Sequence, residues 1–129
     1  MSIEAYFNQI KADVDRYIGT RFVLDANINF DNRPGQQGYV NGVIQFVDGS
    51  GLYFKEYLDA FKGTVDKLMY SYHYQGADNR LCFRYDNGLH KPSLPFLEHK
   101  HLPDQIVEAP APTLAEVLAE ICRHSGLVG

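Results

Sequence analysis

The sequence carries no surplus of positive charge. Twelve lysines and arginines against sixteen aspartates and glutamates leave a formal net charge of −4 and a pI near 5.6. That is the wrong sign for a protein that grips phosphate backbones indiscriminately. Contact with RNA or DNA therefore needs a locally basic patch, and the residues for one gather around Arg80, Arg84, Lys91, Lys100 and the nearby histidines. The same negative charge suits a basic protein partner. Cysteine is scarce: Cys82 and Cys122 lack CxxC spacing and give no sign of a disulfide framework or a thiolate zinc site. Both read as reduced packing residues. No apolar run approaches the length of a membrane span, and Met1-Ser2-Ile3-Glu4 lacks the basic-then-apolar opening of a signal peptide. The expectation is a cytoplasmic protein with no membrane contact. No internal repeat or low-complexity tract is present.

What is there suits one domain over residues 1–129, since 129 residues that are 45% hydrophobic supply one real core and not two. Ile3, Tyr6, Phe7, Ile10, Val14, Tyr17 and Ile18 recur three and four apart, the stripe of an amphipathic helix. Ser2 is placed to cap it, Glu4 sits in its first turn, and Gly19 fits its end. The period then becomes two. Phe22, Leu24, Ala26, Ile28 and Phe30 alternate with polar neighbours as in a half-buried strand, and Asp31 to Gly35 are turn residues. A second strand places Val40, Gly42, Ile44 and Phe46 inward; Gly42 marks a bulge or a close approach. After Asp48-Gly49-Ser50-Gly51, a third strand sets Leu52, Phe54, Glu56 and Leu58 on one face.

Glu56 is the anomaly of that strand, because a carboxylate among apolar neighbours has to be paired, hydrogen-bonded or neutralised. Two readings stand: a structural carboxylate bonded to Tyr or Arg of a neighbouring strand, or a site carboxylate. The fourth strand, Val65 to Gln75, puts Leu68, Tyr70, Tyr72 and Tyr74 on one face and Lys67, Met69, Ser71 and His73 on the other; the fifth, Arg80 to Asp86, sets Leu81, Phe83 and Tyr85 opposite Arg84 and Asp86. Short connections make an antiparallel meander the simplest topology. Beyond Asn87 the pattern stops until Thr113, a proline-punctuated stretch long enough to suggest a functional loop. Thr113-Leu114-Ala115-Glu116 then has the form of a capping box, followed by an apolar stripe and Gly126. The expected fold is α+β: an antiparallel sheet meander of about five strands, with N- and C-terminal helices packed on one face. The aromatic side of the fourth strand and an exposed sheet edge are compatible with a homodimer.

Ionisable chemistry is densest from Arg84 through Asp86 and His90 to His99-Lys100-His101. If that last run is extended, His99 and His101 project to the same side, a spacing open to three readings. The histidines are structural, or with a carboxylate they chelate a divalent metal, or they perform metal-free acid–base work beside the fixed charge of Arg84 and Lys100. Arg84 has its own structural reading as an ion-pair partner of Asp86 or Glu56.

Phe83-Arg84-Tyr85-Asp86-Asn87, then His90, Pro95-Phe96 and His99-Lys100-His101, with Glu56-Tyr57 and Tyr70-Ser71-Tyr72-His73-Tyr74 upstream, resemble the TumE family of bacterial toxin–antitoxin toxins. The likeness covers roughly residues 50–121. The sequence departs from the family pattern at Gly88-Leu89, at Lys91 where a second histidine is common, and at Leu97-Glu98. Of the residues carrying the pattern, Arg84, Asp86, His90, His99 and His101 match. The resemblance implies a small toxin encoded beside an antitoxin, commonly one with a helix-turn-helix DNA-binding domain. Ribonuclease activity enters by analogy with toxins of this size. On that reading Arg84, Asp86, His90, His99, His101, Lys100 and Glu56 are the candidate catalytic residues, RNA is a candidate substrate, and no cofactor is expected. The alternatives are a non-enzymatic module that binds the antitoxin or a regulator, and a metal-dependent phosphoesterase using His99 and His101.

Overall fold

The computed structural model describes residues 1–89 and 93–124. The first helix, α1 (Ile3–Ile18), begins where Ser2 Oγ accepts a hydrogen bond from the Ala5 amide at 3.0 Å. It buries Ile3, Phe7, Ile10 and Val14 on one stripe. Seven strands follow: β1 (Val23–Arg33), β2 (Gln37–Phe46), β3 (Gly51–Phe61), β4 (Thr64–Gln75), β5 (Leu81–Asp86), β6 (His99–His101) and β7 (Ile106–Glu108). The second helix, α2 (Leu114–His124), closes the described chain. Each strand pairs antiparallel with the next in sequence, so the sheet is a simple meander.

The fold is α+β with both helices on one face, as the periodicities predict, but with seven strands among the described residues in place of about five. The two extra strands are three residues each and lie inside the stretch read as a loop. Runs that short carry no alternation of their own; their pairing with β5 and with each other makes them strands.

Two further corrections concern register. A bulge between Val23 and Asp25 turns Leu24 out to 71% exposure. A second, opposite Tyr57 and Leu58, leaves Leu68 unpaired and exposed. Such a one-residue shift exchanges the two faces of the strand, so Lys67 joins the inner face of β4. Gly42 marks a close approach: a Cβ there would stand 2.5 Å from Ile28 Cδ1 and 2.9 Å from Phe54 Cε1.

The core lies between the helices and the inner face of β2 to β5. Ile3, Phe7, Val117 and Leu118 from the helices meet Val40, Ile44, Phe54, Tyr72, Tyr74 and Phe83 from the sheet. Tyr70, Tyr72 and Tyr74 are buried there, so the aromatic side of β4 is not the dimer surface expected of it. Among the described residues no helix covers the opposite, open face of the sheet.

Candidate active site

Strand register writes two rows of largely polar side chains across the open face. One row runs Val43, Tyr53, His73, Arg84, His101 and Ile106 on β2 to β7; the next runs Asn41, Lys55, Ser71, Asp86, His99 and Glu108. Residues opposite one another in adjacent strands lie within side-chain reach, so Arg84 is flanked by His73 and His101, and Asp86 by Ser71 and His99.

At the β5–β6 end the rows condense into a cluster around Asp86. Arg84 Nε donates to Asp86 Oδ2 at 2.9 Å, the Gly88 amide donates to Oδ1 at 2.9 Å, His99 Nε2 stands 2.9 Å from Oδ1, and His101 Nε2 stands 3.4 Å from Oδ2. Burial alone would raise the Asp86 pKa. The Gly88 amide, the Arg84 guanidinium and His99 outweigh it and hold the carboxyl below its ordinary value. His99 is fully buried, and its Nδ1 meets the Leu97 carbonyl at 2.7 Å, which directs Nε2 at Asp86. The two imidazoles meet edge to face, centroids 4.8 Å apart. Arg84 and His101 are the accessible members, with side chains 40% and 22% exposed. One ligand atom from each of Asp86, His99 and His101 lies within 4.8 Å of the others, the donor set of a two-histidine, one-carboxylate metal site.

Lys100 and Glu56 stand elsewhere. Lys100 alternates to the helix face, where Nζ donates to Glu120 Oε2 at 2.6 Å and lies over the Phe83 and Tyr85 rings. Burial alone would lower its pKa; Glu120 and Tyr85 outweigh it and hold it above the usual value. Glu56 is fully buried in the core. It accepts from Tyr6 Oη at 2.5 Å and from Tyr72 Oη, and Lys67 Nζ donates to Tyr72 Oη at 2.7 Å and to the Pro112 carbonyl. Burial and then the Glu56 carboxylate push both phenols well above their ordinary range, and burial depresses the Lys67 ammonium. This network ties α1, β3, β4 and the segment before α2 together. His90 lies outside the described residues.

Arg84, Asp86, His99 and His101 thus come together, and the structure adds two neighbours that the sequence reading left out of its site. Ser71 and His73 sit across from Asp86 and Arg84. The signal was present in the alternation of β4, which assigns both to the face shared with Arg84. His73 Nε2 contacts Gln75 Oε1 at 3.0 Å, while its Nδ1 is buried with no hydrogen-bond partner among the described residues.

A family model described as Toxin TumE matches residues 12–125 of the chain. No curated protein and no solved structure matches.

Proposed function

This chain belongs to the TumE toxin family, and from that premise we propose that it is the toxin of a toxin–antitoxin pair and cleaves RNA on the open face of its sheet. The observation that carries this reading is the register placing His73, Arg84 and His101 side by side on consecutive strands. At about 4.8 Å per strand, the two imidazoles stand roughly 10 Å apart on either side of the guanidinium. Arg84 holds the scissile phosphate and offsets the charge that builds on its oxygens. His101 takes the proton of the ribose 2′-hydroxyl, and that oxygen attacks phosphorus. His73 donates a proton to the departing 5′-oxygen through Nε2, the nitrogen that contacts Gln75 in the free protein. The products are a 2′,3′-cyclic phosphate and a free 5′-hydroxyl. Asp86 fixes the orientation of Arg84 and His101, and the buried His99 fixes Asp86; both are positioning residues. Lys100 and Glu56, on the other face, have no part in the chemistry.

A metal-dependent phosphoesterase is the second reading, favoured by the convergence of Asp86, His99 and His101 and by the Leu97 carbonyl that orients His99. A bound divalent ion would supply Lewis-acid activation of the phosphate. Incubation of the purified protein with single-stranded RNA separates the two. Cleavage that survives a chelator, is blocked by 2′-deoxy substitution and leaves cyclic phosphate ends supports the acid–base reading. Cleavage abolished by the chelator supports the metal. Intact RNA under both conditions removes both.

The partner in this reading is a cognate antitoxin with a helix-turn-helix domain. Among the described residues no helix is long and apolar enough to cross a membrane, and the toxin acts in the cytoplasm.

A further inference from the structure

The open face continues from Arg84 away from the cluster into a trough of about 610 Å³. It is lined at its far side by Asn27, Asn29, Asn41 and Gln45, and in the middle by Tyr53 and Lys55. Near Arg84 its wall includes His73 and Ser71, so it opens directly onto the proposed site of cleavage. Among the described residues Asp25 is the one acid in the lining. The chemistry changes in order along the rows: carboxamides on β1 and β2, a phenol and an ammonium on β3, imidazole and guanidinium on β4 to β6.

Resting on the RNA-cleavage reading, we propose that this trough is the substrate path: a short stretch of single-stranded RNA lies across the strands, its bases over β1 to β3 and its scissile phosphate at Arg84. Carboxamides offer donors and acceptors together, as the edges of unpaired bases require. Tyr53, 40% exposed, offers a ring on which any base can stack. Lys55, exposed between Asn41 and Ser71 in its row, meets the backbone. From β1 to β6 the face spans roughly 24 Å at about 4.8 Å per strand, room for a few nucleotides. A duplex hides the base edges such groups would read. The sequence's overall charge of −4 disfavours indiscriminate phosphate binding elsewhere on the surface.

The test uses the full chain and short, fluorescently labelled, 2′-O-methylated RNA strands of randomised sequence, which cannot be cleaved, with binding followed by anisotropy. Tyr53→Ala and Asn41→Ala are expected to weaken binding by at least about fivefold each, and Lys55→Ala to flatten the log–log salt slope by about 0.7. Lys11→Ala, on the helix side, is expected to bind like the wild type. Equal affinity of wild type, Tyr53→Ala and Asn41→Ala overturns the path, as does equal affinity for a duplex of the same length. Trough-dependent binding without cleavage of natural RNA upholds the path and removes the nuclease. Cleavage by the wild type with binding indifferent to the trough substitutions does the reverse.

Discussion

Asp86 on β5 and His99 on β6 are direct cross-strand partners, and the fully buried ring of His99 brings Nε2 to 2.9 Å from Asp86 Oδ1. The carboxylate is therefore the hub on which Arg84, His99 and His101 are oriented. Asp86→Ala removes it from beneath a buried imidazole, and a buried polar group left without its partner costs about 1–3 kcal/mol. The expected result in urea denaturation is a loss of that size, together with loss of RNA cleavage. A variant that keeps full stability and full activity contradicts the hub.

Arg84 separates chemistry from stability. Its side chain is 40% exposed, so Arg84→Lys is expected to leave the unfolding free energy within about 1 kcal/mol of wild type. The cleavage rate should still fall by about 10²-fold or more, because an ammonium does not reproduce the planar fork that holds a phosphate. Single-turnover rates at saturating RNA measure it; a rate within a factor of three of wild type refutes the role.

Glu56 is predicted to do the opposite. Its hydrogen bonds from Tyr6 and Tyr72 lie in the core, and Glu56→Ala leaves both phenols without their acceptor and takes from Lys67 the strongest of the carboxylates acting on it. Breaking a buried ionic network by removing one partner costs roughly 3–5 kcal/mol. The variant should melt far earlier than wild type yet cleave RNA normally at temperatures where it stays folded. A stable but inactive Glu56→Ala protein would return this residue to the active site.

The start of α2 carries a pH-dependent contribution. The Thr113 amide and then its hydroxyl, in mutual hydrogen bonds with Glu116, hold the Glu116 carboxyl below its ordinary value. A carboxylate depressed in the folded state stabilises above the unfolded pKa, about 4.3. That stabilisation is lost as pH falls through the folded value. The stability gap between wild type and Glu116→Gln should be full at neutral pH and close on acidification, and because Glu116 is exposed it should shrink in salt. A gap that is constant with pH contradicts the assignment.

Much of this was legible in the sequence because the relevant signals are local. The stripe of α1, the capping box of α2 and the alternation of β2 and β5 each report the face on which a residue ends, and the inward Glu56 follows from the same rule. Where alternation failed, a bulge intervened. Leu68 is the extra residue that turns Lys67 to the inner face, and nothing in the neighbouring residues announces which position will bulge. Strands β6 and β7 are defined by partners far away in sequence, so His99 and His101 could be placed on one side of an extended run, but Lys100 could not be assigned to the helix face until β5 was beside it. The same register brings in His73 and Ser71, which composition alone does not connect to a cluster near residue 100.

Induced expression in a bacterial host shows whether the open-face cluster makes this toxin a ribonuclease. Wild type, Arg84→Ala and His101→Ala are compared for growth and total RNA integrity, with folding of each checked by circular dichroism and Lys100→Ala as the variant from the opposite face. Growth arrest with fragmented RNA in wild type and Lys100→Ala, and normal growth with intact RNA in the other two, is the predicted result. Arrest by wild type with intact RNA, or RNA loss undiminished in a folded His101→Ala protein, would contradict it.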